Sequence, residues 1–240
     1  MSAVILAVLI GLVGAVAGTV VASVVERMPR HLPVMANPLA CPVCGKGYPL
    51  VAQLPFGGFA ANGATCTTCG APTPWRKAAL ETAAAVCFAL ITWRFGLTVK
   101  TAVFLWYAVL LIAVFAIDLE HRLILNRMMY PAIVAAPFTA LLTGVSLPSS
   151  LIGGLLGFAV MLVMYLAARG GLGGGDVRLG LFIGLVTGAQ RVFPAMLAFS
   201  LVAGVVSAFL LISRKKGPRD AIAFGPFMVV GVAWVLWWLG

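Results

Sequence analysis

Hydrophobic residues in this chain come in long unbroken runs, not in the alternation of a strand or the one-sided stripe of a soluble helix. Uncharged or nearly uncharged stretches fall at about residues 2–25, 78–93, 101–117, 128–145, 149–168, 179–190, 192–213 and 221–239. A helix that is apolar all round belongs in a buried or membrane setting. Most of these runs approach the ~20 residues that cross ~30 Å of hydrocarbon. The pattern predicts about eight transmembrane helices joined mostly by short loops, an all-α polytopic membrane protein. The first run, Ser2 to Val25, has no basic stretch ahead of it and exceeds the usual length of a signal-peptide core, so it is expected to be a retained helix. The sixth run, only twelve residues over 179–190, is expected to span with Arg191 snorkelling to the interface.

Composition agrees and removes the soluble classes. Of 240 residues, 62% are hydrophobic and 9% charged, and the mean hydropathy is +1.11. The net charge of +10 raises nucleic acid as a partner, but the placement of the charges argues otherwise. With the N-terminus outside, Arg27, Arg30, Lys46, Arg76, Lys77, Arg122, Arg127, Arg169, Arg178, Arg214, Lys215, Lys216 and Arg219 fall on the inner side, and only Arg94, Lys100 and Arg191 fall outside. That asymmetry is the positive-inside signal. It orients the chain in a lipid bilayer and leaves no nucleic-acid surface.

Between the first two runs lies the one sizeable polar segment, about residues 26–77, rich in Pro, Gly, Cys and Thr and without helical period. The expected organisation is a first helix over 1–25, a cytoplasmic insert over 26–77 and a membrane domain over 78–240. The insert carries Cys41-Pro42-Val43-Cys44-Gly45 and Cys66-Thr67-Thr68-Cys69-Gly70. Paired C-x-x-C-G turns are the spacing of a four-thiolate zinc site, with Cys41, Cys44, Cys66 and Cys69 as ligands. Two disulfides are the alternative, disfavoured by a cytoplasmic setting in which thiols stay reduced. A closed four-cysteine site leaves no position for substrate, so the zinc is expected to be structural. Cys87, within the second run, reads as ordinary packing.

Acidic residues are scarce: Glu26, Glu81, Asp118, Glu120, Asp176 and Asp220. Asp176 ends the glycine-rich stretch Gly170-Gly171-Leu172-Gly173-Gly174-Gly175, and Asp118 ends the third run. The orientation puts both at the cytoplasmic edge of the membrane, where a carboxylate is costly and is by default a functional candidate. Two carboxylates delivered to one depth can share a proton, the requirement of an aspartic protease. The competing readings are plain. Asp118 and Arg122 are four apart and can form an ion pair. Glu81 is expected to pair with Lys77 or to cap, Glu26, Glu120 and Asp220 to be solvated, and His121 to be interfacial. The glycines lack the lysine and Ser/Thr of a phosphate loop and any surrounding βαβ unit.

Gly173-Gly174-Gly175-Asp176-Val177-Arg178 resembles the G-x-G-D motif of the type IV prepilin peptidases, and Asp118 with Ile124 and Asn126 resembles their first aspartate motif. Gly18-Thr19-Val20-Val21 with Arg27-Met28-Pro29, the paired cysteine turns and Phe224-Gly225-Pro226-Phe227 are similar to further family segments. Leu125 stands where the family usually has proline, Arg178 where it most often has lysine, and the insert lacks the family's N-I-P motif. The resemblance implies an endopeptidase of the bacterial inner membrane, its active site facing the cytoplasm, that removes the leader of prepilins or pseudopilins. Asp118 and Asp176 would be the catalytic pair. Gly173, Gly174, Gly175 and Arg178 would lie against the substrate. The resemblance also admits methylation of the new N-terminus with S-adenosylmethionine as donor. Two rivals from other classes are a proton-coupled transporter using the aspartates as a relay and a zinc-organised membrane scaffold.

Overall fold

The computed structural model describes residues 3–29, 41, 43–47, 55, 65–66, 68–71, 75–168, 172–212 and 224–239. Gly170, Gly171, Asp220, most of the insert and the basic run 214–219 lie outside the described residues. Among the described residues the regular structure is helical: α1 (Ala3–Arg27), α2 (Trp75–Phe95), α3 (Val99–His121), α4 (Asn126–Leu142), α5 (Leu147–Ala167), α6 (Gly174–Thr187), α7 (Val192–Ile212) and α8 (Gly225–Leu239). Each expected apolar run has a single helix over most of its described length. The reason is general: hydrocarbon offers backbone groups no partner, so the chain must satisfy them within itself. Among the described residues, four helices are long and apolar enough to cross a membrane: α1, α2, α3 and α5. The 14 residues of α6 rise only about 21 Å, short of a full ~30 Å crossing.

The chain divides into two compact units, Met1–Ala113 and Val114–Gly240. In the first, α1 lays a small-residue face on α2. A Cβ on Gly14 would sit 2.7 Å from the Phe88 Cβ, and one on Gly18 would sit 2.6 Å from the Glu81 Cα. Such close backbone approach is the usual way helices associate where lipid removes the hydrophobic drive. It also encloses Glu81 completely, at 0% exposure. Thr19 Oγ1 donates to Glu81 Oε1 at 2.8 Å, and Lys77 Nζ lies 3.7 Å from the same oxygen. The expected Lys77 pairing is present; the contribution of Thr19 from the facing helix is not visible in the local pattern. Glu26 departs from expectation. It is not simply solvated but ion-pairs with Arg76 at 3.7 Å, because the end of α1 and the start of α2 run side by side at the stem of the insert.

In the second unit α6 is the central element, with ten of its 14 residues buried. It packs on α5 through glycine: a Cβ on Gly157 would run into the Gly180 carbonyl, and one on Gly184 into that of Gly153. Ser150 Oγ donates to the Leu185 carbonyl at 2.7 Å across the same contact. α8 also approaches α7 through glycine, since a Cβ on Gly231 would lie 2.8 Å from the Phe199 nitrogen. Pro131 and Pro137 lie inside α4, and each removes an N–H from the helix ladder.

These contacts predict a contrast. Gly157→Val forces backbone away from backbone and is expected to destabilise by at least about 1–3 kcal/mol. Gly204→Ala, where nothing lies within 4 Å of the new methyl, is expected to be neutral or to stabilise by up to about 1 kcal/mol through helix propensity. Thermal unfolding of the detergent-solubilised protein reads both.

Candidate active site

Asp118 is reached near the end of α3, and Asp176 occupies the third position of α6. Both are buried, at 4% and 8% exposure. Asp176 is therefore not a loop residue: its glycines open a helix. Gly173 is the N-cap in an extended conformation, and its N–H donates to Asp176 Oδ2 at 2.9 Å. That is the reach-back half of a capping box, with glycine in place of the capping side chain. The start of a helix also carries the partial positive charge that favours an anion.

Asp118 is held from a third direction. The Gly225 N–H, at the first residue of α8, donates to Asp118 Oδ2 at 2.8 Å. A Cβ on Gly225 would stand 2.7 Å from that oxygen, so only glycine lets the backbone come this near. The chain after Asp118 turns sharply: Arg122 adopts φ 53, and its N–H donates to the Asp118 carbonyl at 2.9 Å. The Asp118–Arg122 ion pair weighed above is absent among the described residues. His121 pairs with Glu120 at 3.8 Å instead. The turn lands Ile124 on Gly175, where a Cβ would stand 2.7 Å from the Ile124 Cβ.

The fold thus brings together the segments that carry Asp118 and Asp176, through Ile124 against Gly175 and the bond from Arg178 to Asn126. Each aspartate has its Oδ2 fixed by a backbone N–H. Asp176 Oδ1 is buried without a hydrogen-bond partner among the described residues. A buried carboxylate oxygen left unpaired is costly, and a water or a peptide group at this point would satisfy it.

Of the other expected residues, Gly173 and Gly175 shape the Asp176 turn. Gly174 is exposed and faces open space, with nothing within 4 Å of an added Cβ. Arg178 Nη1 donates to Asn126 Oδ1 at 2.6 Å, and its guanidinium lies 5.5 Å from the centre of the Tyr130 ring. The role of Gly225 was missed. Its F-G-P-F motif was visible, but nothing in sequence spacing joins positions 118 and 225.

In the first unit the four insert sulfurs all lie within 4.8 Å of one another, with Cys41–Cys69 at 3.7 Å and Cys44–Cys66 at 3.9 Å. A tetrahedron of sulfurs about 2.3 Å from a zinc ion has edges of about 3.8 Å. The two turns are built alike. Gly45 and Gly70 sit at φ 70 and 68, their N–H groups donate to the Cys41 and Cys66 carbonyls, and Cys41 and Cys66 donate to Lys46 and Ala71. Backbone N–H groups of Cys69 and Thr68 draw the Cys66 thiol down to about 6. Cys69 goes the other way: the Ala71 N–H lowers it, but burial and the crowding of sulfurs carry it up to about 12. All four cysteines are free. The donor set and geometry can hold a metal ion.

Comparison with known proteins points the same way. Residues 105–209 match the model of the type IV leader peptidase family, and residues 12–95 match the bacterial peptidase A24 N-terminal domain. The chain is 29% identical to the prepilin leader peptidase/N-methyltransferase of Bacillus subtilis strain 168, over 85% of this chain and 83% of that one. It is 27% identical to the protein of the same name from Pseudomonas aeruginosa, over 82% and 71%, and 25% identical to that of Neisseria gonorrhoeae, over 88% and 78%. No solved structure matches it. The chain belongs to the type IV prepilin leader peptidase family.

Proposed function

We propose that the chain is a membrane aspartic endopeptidase that removes the leader from type IV prepilins or pseudopilins at the cytoplasmic face of the bacterial inner membrane, with Asp118 and Asp176 as its catalytic pair. What supports this reading is the presence of two buried carboxylates on adjoining segments, each oriented by one backbone N–H, with Asp176 Oδ1 lacking a partner among the described residues. Side by side they favour holding one proton between them. The ionised member takes a proton from the attacking water. The protonated member donates to the carbonyl oxygen of the scissile peptide, whose carbon the water attacks. The leaving amine then takes a proton as the C–N bond breaks, and the pair returns to its shared state. No covalent enzyme intermediate is required.

Gly174 offers the open backbone along which an extended substrate strand can lie. The glycines on either side serve the enzyme: Gly173 orients Asp176, and Gly175 admits Ile124. The thirteen-to-three split of basic residues supports a cytoplasmic site. Zinc held by Cys41, Cys44, Cys66 and Cys69 would fold the insert and take no part in hydrolysis. Methylation of the new N-terminal amine, with S-adenosylmethionine as donor, is supported by the relatives' names. Two features count against the transporter reading: no internal repeat accompanies the aspartates, and the names of the relatives are those of a peptidase.

Four outcomes are expected. In cells co-expressing a prepilin, Asp118→Asn and Asp176→Asn should each lower leader removal by about 10³-fold or more while the protein accumulates normally. Efficient cleavage by either variant contradicts the pair. Gly175→Ala, which collides with Ile124, should cost about 10²-fold in the same immunoblot assay through a displaced Asp176. Gly204→Ala, away from the site and with nothing within 4 Å of the new methyl, should stay within about threefold of the parent. Metal analysis of reduced protein should find about one zinc per chain, lost in Cys66→Ser with increased proteolysis of the insert. A zinc-free, protease-resistant insert would overturn the structural-zinc reading.

A further inference from the structure

Arg178, expected above to lie against substrate, makes its polar and ring contacts with α4. Arg178 follows Asp176 by two residues on α6, and positions two apart leave a helix on nearly opposite sides. Its guanidinium goes to α4, donating to Asn126 Oδ1 at 2.6 Å and lying over Tyr130 at 5.5 Å. Asn126 is the first residue of α4, immediately after the turn that follows Asp118. That turn is under strain. Arg122 is in the left-handed region at φ 53, a conformation that costs a non-glycine residue about 1–2 kcal/mol. A strained turn keeps its shape only where its surroundings hold it. Two contacts do so: Ile124 seated on Gly175 and Asn126 bonded to Arg178.

We propose that Arg178 is a positioning residue. Through Asn126 and Tyr130 it fastens the turn behind Asp118 to the first turn of α6, and so sets the separation of Asp118 and Asp176. The link is short at both ends. Asn126 stands eight residues beyond Asp118 and Arg178 two beyond Asp176, so slack in the Asn126–Arg178 bond becomes slack between the carboxylates. Carboxylates that drift apart still admit substrate but no longer share a proton or bracket one water. The proposal rests on the aspartate-pair reading above and adds to it the residues that set its geometry.

The test is steady-state cleavage, by the detergent-solubilised full chain, of a type IV prepilin carrying its leader and hydrophobic segment. The variants are Arg178→Ala, Asn126→Ala, the double variant and Arg178→Lys. Arg178→Ala and Asn126→Ala should each lower kcat by about 10- to 100-fold, as misplacement of about 1 Å does, with KM within about twofold of the parent. The double variant should be no slower than the worse single, because both remove one link. Arg178→Lys should recover most of the loss, since an ammonium can donate to the amide oxygen and sit over the ring. Where the alanine variant does not accumulate, Arg178→Gln, which keeps a donor without the charge, should show a smaller loss in kcat at unchanged KM. A raised KM with kcat preserved would overturn the proposal in favour of substrate contact. Parent-like rates for Asn126→Ala, or losses that multiply in the double variant, would overturn it as well. Cleavage surviving Asp118→Asn or Asp176→Asn is a separate result: it removes the pair reading, and the Arg178 comparison does not bear on it.

Discussion

Two carboxylates, Asp118 and Asp176, stand almost fully enclosed among the helices of the second unit. In such surroundings an acidic group must have its oxygens satisfied or it destabilises the fold by several kcal/mol. Side-chain donors are scarce here, so the backbone supplies them. Gly173 gives its N–H to Asp176 and Gly225 gives its N–H to Asp118. Both donors come from glycines at helix starts, where N–H groups have no helical partner. At Gly225 the missing Cβ is what lets the donor come within reach. Much of the second unit follows from this requirement. α6 must begin at Gly174, α8 must begin beside Asp118, and the turn after Asp118 must close tightly enough to place Ile124 on Gly175.

The same economy governs the packing that holds these helix starts in place. Helices in lipid gain little from burying apolar surface against one another, so stability comes from close contact and from hydrogen bonds across the seam. Glycine pairs bring α5 against α6, and Gly231 brings α8 against α7. In the first unit Gly14 and Gly18 do the same for α1 and α2, around the fully buried Glu81. The insert follows a different rule. Its described residues form two turns with the same hydrogen bonds around four sulfurs, a small structure that a metal can hold without a hydrophobic core.

The helices were legible because hydrocarbon leaves the chain few choices: a long apolar run becomes a helix, and its ends follow from charges and glycines. Candidate residues were legible where scarcity marked them, as with the buried Asp118 and Asp176 among six acidic residues, and the clustering of four sulfurs was legible from the spacing of the cysteine turns. What escaped was contact between segments far apart in sequence. Gly225 is 107 residues from Asp118, Thr19 is 62 from Glu81 and Asn126 is 52 from Arg178. No local period records such pairings; they follow from how helices are stacked. Glu26 was misjudged for the same reason, since its partner Arg76 lies on the far side of the insert. Arg178 looked like a residue for substrate because it closes the aspartate motif, whereas its side chain is occupied by α4.

The claim that organises this account is that Asp118 and Asp176 act as one unit. Rates of prepilin cleavage by Asp118→Asn, Asp176→Asn and the double variant, measured at saturating enzyme so that chemistry is isolated, test it most directly. Groups that act together lose their whole contribution when either is removed. The double variant is therefore expected to be no slower than the slower single. Losses that multiply would mean that the two carboxylates contribute separately, and the shared reaction centre described here would be wrong.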